Sequence, residues 1–144
     1  LVRPAFARAG GSLDFWKIRM RPGKPLMAGR LDDSIFLGLP GNPVASLVCS
    51  FVFLKPLVAC MAGRLHEADL RQGILGAPVP ANDQRQDYLR AAIRREADGI
   101  VATPSAIQDS SMLRVMADSA ALIVRAPFAP PADAGEECQL LMLS

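Results

Sequence analysis

Aromatic and reactive side chains are scarce in this chain. Its 144 residues hold one Trp, one Tyr, one His and three Cys, and the formal net charge is only +2. No tract of consecutive Lys and Arg occurs. With so small a positive excess and so few rings to stack on, neither a nucleic-acid surface nor attraction to an anionic membrane is expected. His66 stands alone and no Cys-x-x-Cys is present, which excludes the usual zinc sets. Cys49 and Cys60 are eleven positions apart. On a helix that spacing returns to nearly one face but lies ~16 Å along the axis. A disulfide needs Cα atoms within about 7 Å, so those two cannot pair on a helix. All three cysteines therefore read as reduced, mostly buried thiols of a cytoplasmic protein. The GxxxxGK[ST] phosphate loop is also missing, so a P-loop nucleotidase is not supported. The opening LVRPAFARAGG lacks the apolar stretch of a signal peptide.

What is present is apolar material. Hydrophobic residues make up 51% of the chain and charged ones 21%, enough for a packed core. The length suits one ordinary domain, or one and a half small ones. The longest apolar run, PVASLVCSFVFLKPLVACMA (43–62), approaches the ~20 residues of a membrane span. Lys55 and Pro56 sit inside it, no basic flank or second such segment accompanies it, and the expectation is a kinked, fully buried core helix. RPAFARAGG (3–11) reads as the last turns of a helix stopped by glycine. No start signal precedes it, as in a piece of a longer protein.

Two short stretches carry the chemistry. In DFWKIRMRPGKP (14–25), Trp16, Ile18 and Met20 alternate with Lys17, Arg19 and Arg21, the period of a strand. Three cations on one strand face repel each other unless an anion or carboxylates lie opposite. A solvated edge strand guarded by its charges meets the same pattern. The loop that follows adds Lys24, held between Pro22 and Pro25, with Gly23 free to take positive φ. Four cations on one strand and loop, Lys17, Arg19, Arg21 and Lys24, suggest an anion-binding wall, with Pro22, Gly23 and Pro25 in its loop. Next, SIFLGLP (34–40) reads as a central strand of an α/β sheet, apolar on both faces. It runs through Pro40 and Gly41 into Asn42, a favoured helix N-cap, and Pro43, favoured at the first helical position. A helix start of this kind offers backbone N–H groups to an anion, and Gly41 lets a ligand approach. It equally serves as nothing more than a well-made cap.

After Gly63 the composition changes. GILGAPVP (73–80), YLRAAIRR (88–95), IVATP (100–104), ALIVRAP (121–127) and CQLLML (138–143) read as short strands. ADG (97–99) marks a hairpin, SSMLRVMA (110–117) a short helix, and residues 127–137 a loop. Five short strands in about 80 residues describe a small antiparallel barrel or sandwich, with a boundary near Arg64–Asp69.

FWKIRMRPGKP followed by GLPGNPVASLV resembles the molybdopterin molybdenumtransferases, the MoeA-type family that also includes the E domain of gephyrin. The strand with YLRAAI, the DG hairpin and the run from Gln108 to Pro127 resemble the family's C-terminal domain. The resemblance implies residues 1–65 as the C-terminal part of a three-layer α/β molybdopterin-binding domain. It implies residues 66–144 as a small all-β, barrel-like domain. It implies a homodimer that inserts molybdate into adenylylated molybdopterin with release of AMP, in the presence of Mg²⁺. The active site would lie between the α/β domain of one subunit and the β domain of the other. Lys17 and Lys24 match family lysines at the active cleft, and Pro40, Gly41, Asn42 and Pro43 match its substrate-binding turn.

The sequence also departs from the family pattern. The acidic residues that hold the family's metal, and its Gly-Gly loop, lie N-terminal to what is present, so no metal ligands and no catalysis by this chain alone are expected. Where many members carry a QGSG-like loop, this chain has Gln108, Asp109, Ser110 and Ser111, and Asp109 would repel a phosphate. A plain turn or helix cap is the reading there. An assembly scaffold on the same fold, as in gephyrin, is the alternative function. A CinA-like relative is disfavoured by the MRPGKP strand and by the C-terminal β segment.

Overall fold

The computed structural model describes residues 2–97, 99–106 and 119–143. The chain opens with helix α1 (Val2–Arg8), which ends at the glycine pair as its sequence indicates. Phe6 on its buried face stacks on Phe36 with ring centroids 4.0 Å apart. That contact seats α1 on a three-stranded antiparallel sheet of β1 (Ser12–Phe15), β3 (Met27–Leu31) and β4 (Ser34–Gly38), in the order β1-β3-β4.

Two strand expectations are corrected here. The alternating stretch from Asp14 to Arg21 does not form one strand: β1 stops at Phe15, and β2 is only Met20–Arg21. A continuous strand would align Lys17, Arg19 and Arg21 on one face. The chain instead breaks, and Trp16 turns outward (41% exposed) with cations against its ring. SIFLG is a strand, but a half-exposed edge strand bonded, among the described residues, to β3 alone, with Ile35 46% exposed. Its partner, MAGRL, follows the RPGKP loop and closes on β4 through the two-residue turn Asp32–Asp33, with Asp32 at φ 51°. That left-handed conformation is usually marked by Asn-Gly or Asp-Gly, and Asp-Asp marks it weakly.

The apolar helix begins as α2 (Pro43–Cys49), widens into a π-helical stretch (Ser50–Leu54) and continues as α3 (Lys55–Met61). The wide turn sits just before Pro56, whose missing N–H and ring disturb the regular ladder. Pro43–Met61 together is long and apolar enough to cross a membrane by length and composition. It is not fully buried, contrary to expectation. Val44, Ala45, Val48 and Cys49 are buried, whereas no residue from Ser50 to Met61 is. The buried turns are those that meet the loop at 20–26 and strands β8 and β9 described next.

β5 (Leu70–Leu75), β6 (Gln86–Glu96), β7 (Gly99–Pro104), β8 (Ala121–Arg125) and β9 (Glu137–Met142) follow. They pair in the order β6-β7-β5-β9-β8, and β8 returns to β6, closing a five-stranded barrel. The hairpin read at ADG joins β6 to β7, with Glu96 opposite Gly99. Asp98 of that turn, the helix expected at 110–117 and the Gln108–Ser111 loop lie outside the described residues. β2 lies along the start of β6, parallel to it, with Met20 opposite Gln86 and Arg21 opposite Asp87. Strand residues of the first segment thus extend the sheet of the second.

Period-two alternation on β8 and β9 builds two cores at once. Ala121, Ile123, Cys138, Leu140 and Met142 point into the barrel with Leu75, Ala91 and Ala102. Leu122 and Leu141 point outward and pack with Met20, Leu26, Val44, Val48 and Cys49. Each such side chain contributes about 1.5–3 kcal/mol relative to exposure. The second core ties the RPGKP loop, helix α2 and the barrel together. Gly23 lies directly over it at φ 127°, and a Cβ there would come within 2.7 Å of the Cys49 Sγ. Gly23→Ala should therefore cost about 2–4 kcal/mol, from forbidden backbone and overpacking together. Denaturant melts should show Cys49→Ala recovering part of that loss in the double variant.

All three cysteines are free thiols, with Cys49 and Cys138 buried and Cys60 exposed. Burial pushes the Cys49 thiol up to about 11 and raises Cys138 as well. A colorimetric thiol reagent at pH 8 should thus titrate Cys60 at once, and Cys49 and Cys138 only after unfolding.

Candidate functional site

A cavity of about 960 Å³ opens between the RPGKP loop, the turn before α2 and the rim of the barrel. Six prolines line it: Pro22, Pro25 and Pro40 from the first segment, and Pro78, Pro80 and Pro104 from the second. Proline fixes φ and lacks an N–H, so this wall is stiff and poor in backbone donors. Polar recognition falls to side chains, and five cations stand in the wall: Arg21, Lys24, Arg85, Arg90 and Arg125.

Their surroundings separate them. Arg21 donates from Nε to Asp87 Oδ1 at 2.8 Å and from Nη2 to Asp87 Oδ2 in a bidentate pair. Its Nη1 lies 3.5 Å from Asp83 Oδ2, and Nη2 is 3.4 Å from Asn82 Oδ1. Arg85 is held by Asp83, with Nη2 2.6 Å from Oδ2. The hydrogen bonds from Arg85 are the main reason that the Asp83 carboxyl is lowered to about 2. Arg125 donates to the carbonyl oxygens of Pro80 and Pro130. Arg90 is 1% exposed within the wall, and its carbonyl accepts from Ser105 N at 2.8 Å. The Lys24 side chain is exposed at the cavity and makes no ion pair or hydrogen bond among the described residues. Tyr88 also lines the wall; burial raises its phenol above the ordinary value, so it stays protonated near neutrality.

Arg21, Pro22, Gly23, Lys24, Pro25, Pro40 and Asn42 do meet around one cavity. Lys17, Gly41 and Pro43 are not in its wall. The Lys17 Nζ lies 3.9 Å from the centroid of Trp16, whose ring also carries the Arg3 guanidinium at 4.5 Å. Lys17 therefore sits in a cation–π cluster outside the cavity wall, although the next residue, Ile18, donates its backbone N–H to the Lys24 carbonyl at 3.0 Å. Gly41 is exposed between two wall residues; a Cβ there would meet nothing within 4 Å. Asn42 caps the helix, as its position indicates: Oδ1 accepts from Ala45 N at 3.1 Å, and its carbonyl accepts from Ser46 N at 2.8 Å. These bonds leave the helix start fewer donors for a ligand than its sequence suggests.

Asn82, Asp83, Arg85, Asp87 and Arg125 escape a reading of the sequence. Asn82–Asp83 carries ordinary turn chemistry: Asn82 Oδ1 accepts from Asp83 N, and Nδ2 donates to the carbonyls of Arg85 and Ala126. The meeting of Asp87 with Arg21, 66 positions away, follows only from the β2–β6 pairing. Among the described residues, no group of three or more His, Cys, Asp or Glu side chains could hold a metal. Asp83 and Asp87 are both engaged by arginines, so the residues here do not fit a Mg²⁺ site.

Trp16 is the single tryptophan, so its emission reports on the cations stacked against it. Lys17→Met should change that emission and leave anion binding at the cavity unaltered. A loss of anion affinity matching that of Lys24→Ala would place Lys17 at the site after all.

A family model described as the MoeA C-terminal region (domain IV) matches residues 72–143, and one described as a probable molybdopterin binding domain matches residues 1–59. The molybdopterin molybdenumtransferase of Haemophilus influenzae is 46% identical over 54 residues, covering 38% of this chain and 13% of that protein. The protein of the same name in Bacillus subtilis is 24% identical over 139 residues, covering 96% of this chain and 32% of its own length. Among solved structures, a molybdopterin biosynthesis MoeA protein of Pyrococcus horikoshii superposes with a TM-score of 0.82 at 22% identity, over 100% of this chain and 35% of that one. The chain thus spans about a third or less of the length of these relatives. A barrel matching the family's domain IV, joined through the wall of one cavity to a segment that matches the probable molybdopterin binding domain, leads to one assignment: the chain belongs to the MoeA family and represents its C-terminal portion.

Proposed function

We propose that this chain forms one wall of a molybdate-transfer site, at which the complete protein inserts molybdate into adenylylated molybdopterin and releases AMP. The observation that carries the reading is Lys24. It is a cation without an ion-pair or hydrogen-bond partner among the described residues, on a loop fixed by Pro22, Gly23 and Pro25, beside a cavity also bordered by Pro40 and Asn42. Both reactants are anionic. As the phosphoanhydride P–O bond breaks, negative charge grows on the departing AMP phosphate. An ammonium already in place stabilises that charge without reorganisation. Lys24 needs only to remain charged; no proton transfer is assigned to it. Gly41 keeps the backbone open beside the cavity, where a ligand phosphate can approach.

Family membership supports the rest of the reading. We assign Mg²⁺ to carboxylates outside this chain, closure of the cavity to a second subunit of a homodimer, and the activity to the cytoplasm. A scaffold role is not favoured, since the relatives in Haemophilus influenzae, Bacillus subtilis and Mycobacterium tuberculosis carry transferase names.

In the complete protein, Lys24→Ala should lower transfer about 10²–10³-fold while the melting curve stays in place. Unchanged turnover would sink the assignment. Gly41→Ala tests the turn separately. The position has no positive φ and an added Cβ meets nothing, so stability should hold within about 0.5 kcal/mol. Affinity for adenylylated molybdopterin should drop about tenfold.

A further inference from the structure

Arg21 occupies a place where a second anion ligand would be expected, one turn of loop from Lys24 and in the same wall. Its geometry points elsewhere. The guanidinium is 45% exposed but is drawn bidentately onto the Asp87 carboxylate, which is only 4% exposed. Asp87 lies on β6 between two arginine register partners, Arg21 on β2 and Arg125 on β8. The Arg125 Nη2 is turned away to the Pro80 and Pro130 carbonyls, which leaves Arg21 as the partner of Asp87. Behind Arg21, Asp83 bridges to Arg85, so acid and base alternate along the rim as Asp87, Arg21, Asp83 and Arg85.

A buried carboxylate holds its guanidinium partner strongly, because separating them leaves charge in a poorly solvated place. A bidentate pair also fixes orientation as well as distance. The backbone held in this way is the residue directly before Pro22, where the Lys24 loop begins. Met20 (4% exposed) and Leu26 (0% exposed) anchor the same loop from below. Apolar restraints thus act at both ends of a six-residue arch, and a polar one at its start.

We infer that Asp87 is a positioning residue: it withdraws Arg21 from the anion and fixes the arch that presents Lys24. This inference rests on the reading of Lys24 as the anion's cation. The site then discriminates by geometry, with the Lys24 ammonium presented as a mobile point charge and the Arg21 fork already occupied.

The test is kinetic, in the complete protein, with molybdate varied, and is matched by calorimetric titration of the same protein with pyrophosphate. Arg21→Gln should leave pyrophosphate affinity within about twofold of the parent, since that cation is already withdrawn, and should lower kcat about tenfold. Asp87→Asn frees Arg21 toward the cavity. It should lower the KM for molybdate about fivefold while kcat falls about tenfold, a split that loss of folded protein cannot produce. Asp87→Glu, which keeps the charge, should restore most of kcat. A fivefold or greater loss of pyrophosphate affinity in Arg21→Gln would make Arg21 a ligand and overturn the inference. So would parallel losses in KM and kcat for Asp87→Asn. If Asp87→Asn does not fold, the Arg21→Gln titration decides alone. Lys24→Ala separates the two levels: full activity there refutes the site, whereas the Arg21 and Asp87 results speak only to the pair.

Discussion

Where Gly23 meets Cys49 there is no room for a side chain, and much of the molecule is arranged around that closeness. The φ of 127° that turns the RPGKP loop is open to glycine, and the missing Cβ lets the loop settle onto helix α2. Beneath the contact, Met20 and Leu26 reach Val44 and Val48, and the same cluster takes in Leu122 and Leu141 from the barrel. One small apolar core therefore sets the position of the Lys24 loop, the start of the helix and the rim of the barrel relative to each other.

The charged link is β2. Two residues long, it would be negligible as a strand by itself. Lying beside β6, it places Arg21 opposite Asp87 and brings the polar rim into register with the apolar core below. The cavity is thus held by two unlike forces a few residues apart, burial under Gly23 and ion pairing at Arg21. Burial is insensitive to salt, and pairing onto a nearly buried carboxylate is only weakly screened.

Much of this was legible in the residues, and the failures share a cause. The cap at Asn42–Pro43, the free conformation of Gly23, the hairpin at Gly99 and the last four barrel strands all depend on local backbone chemistry and stand close to where the sequence puts them, whereas β5 begins three residues before GILGAPVP and ends at Leu75. Strand β3 was passed over because Ala28 and Gly29 weaken its alternation and Asp32–Asp33 is a poor turn marker. The alternation of Trp16 to Arg21 suggested a longer strand than exists, since periodicity is blind to the repulsion among three cations. Burial of the long helix was overestimated because apolar composition shows that a face seeks cover without showing how much cover its neighbours supply. In the site, the sequence placed the cations together but could not sort them. Only the fold reveals that Arg21 and Arg85 are matched by carboxylates, that Lys17 lies on an indole, and that Lys24 has no such company among the described residues.

The six prolines of the cavity wall carry a thermodynamic consequence. A wall of ordinary loop residues loses backbone freedom when a ligand orders it, on the order of 1–2 kcal/mol for each residue frozen. Here Pro22, Pro25, Pro40, Pro78, Pro80 and Pro104 have given up that freedom in the unfolded chain already, before any ligand arrives. The enclosure is shaped at the time of folding rather than at the time of binding. Little of the interaction energy of a ligand is then diverted into closing the walls around it.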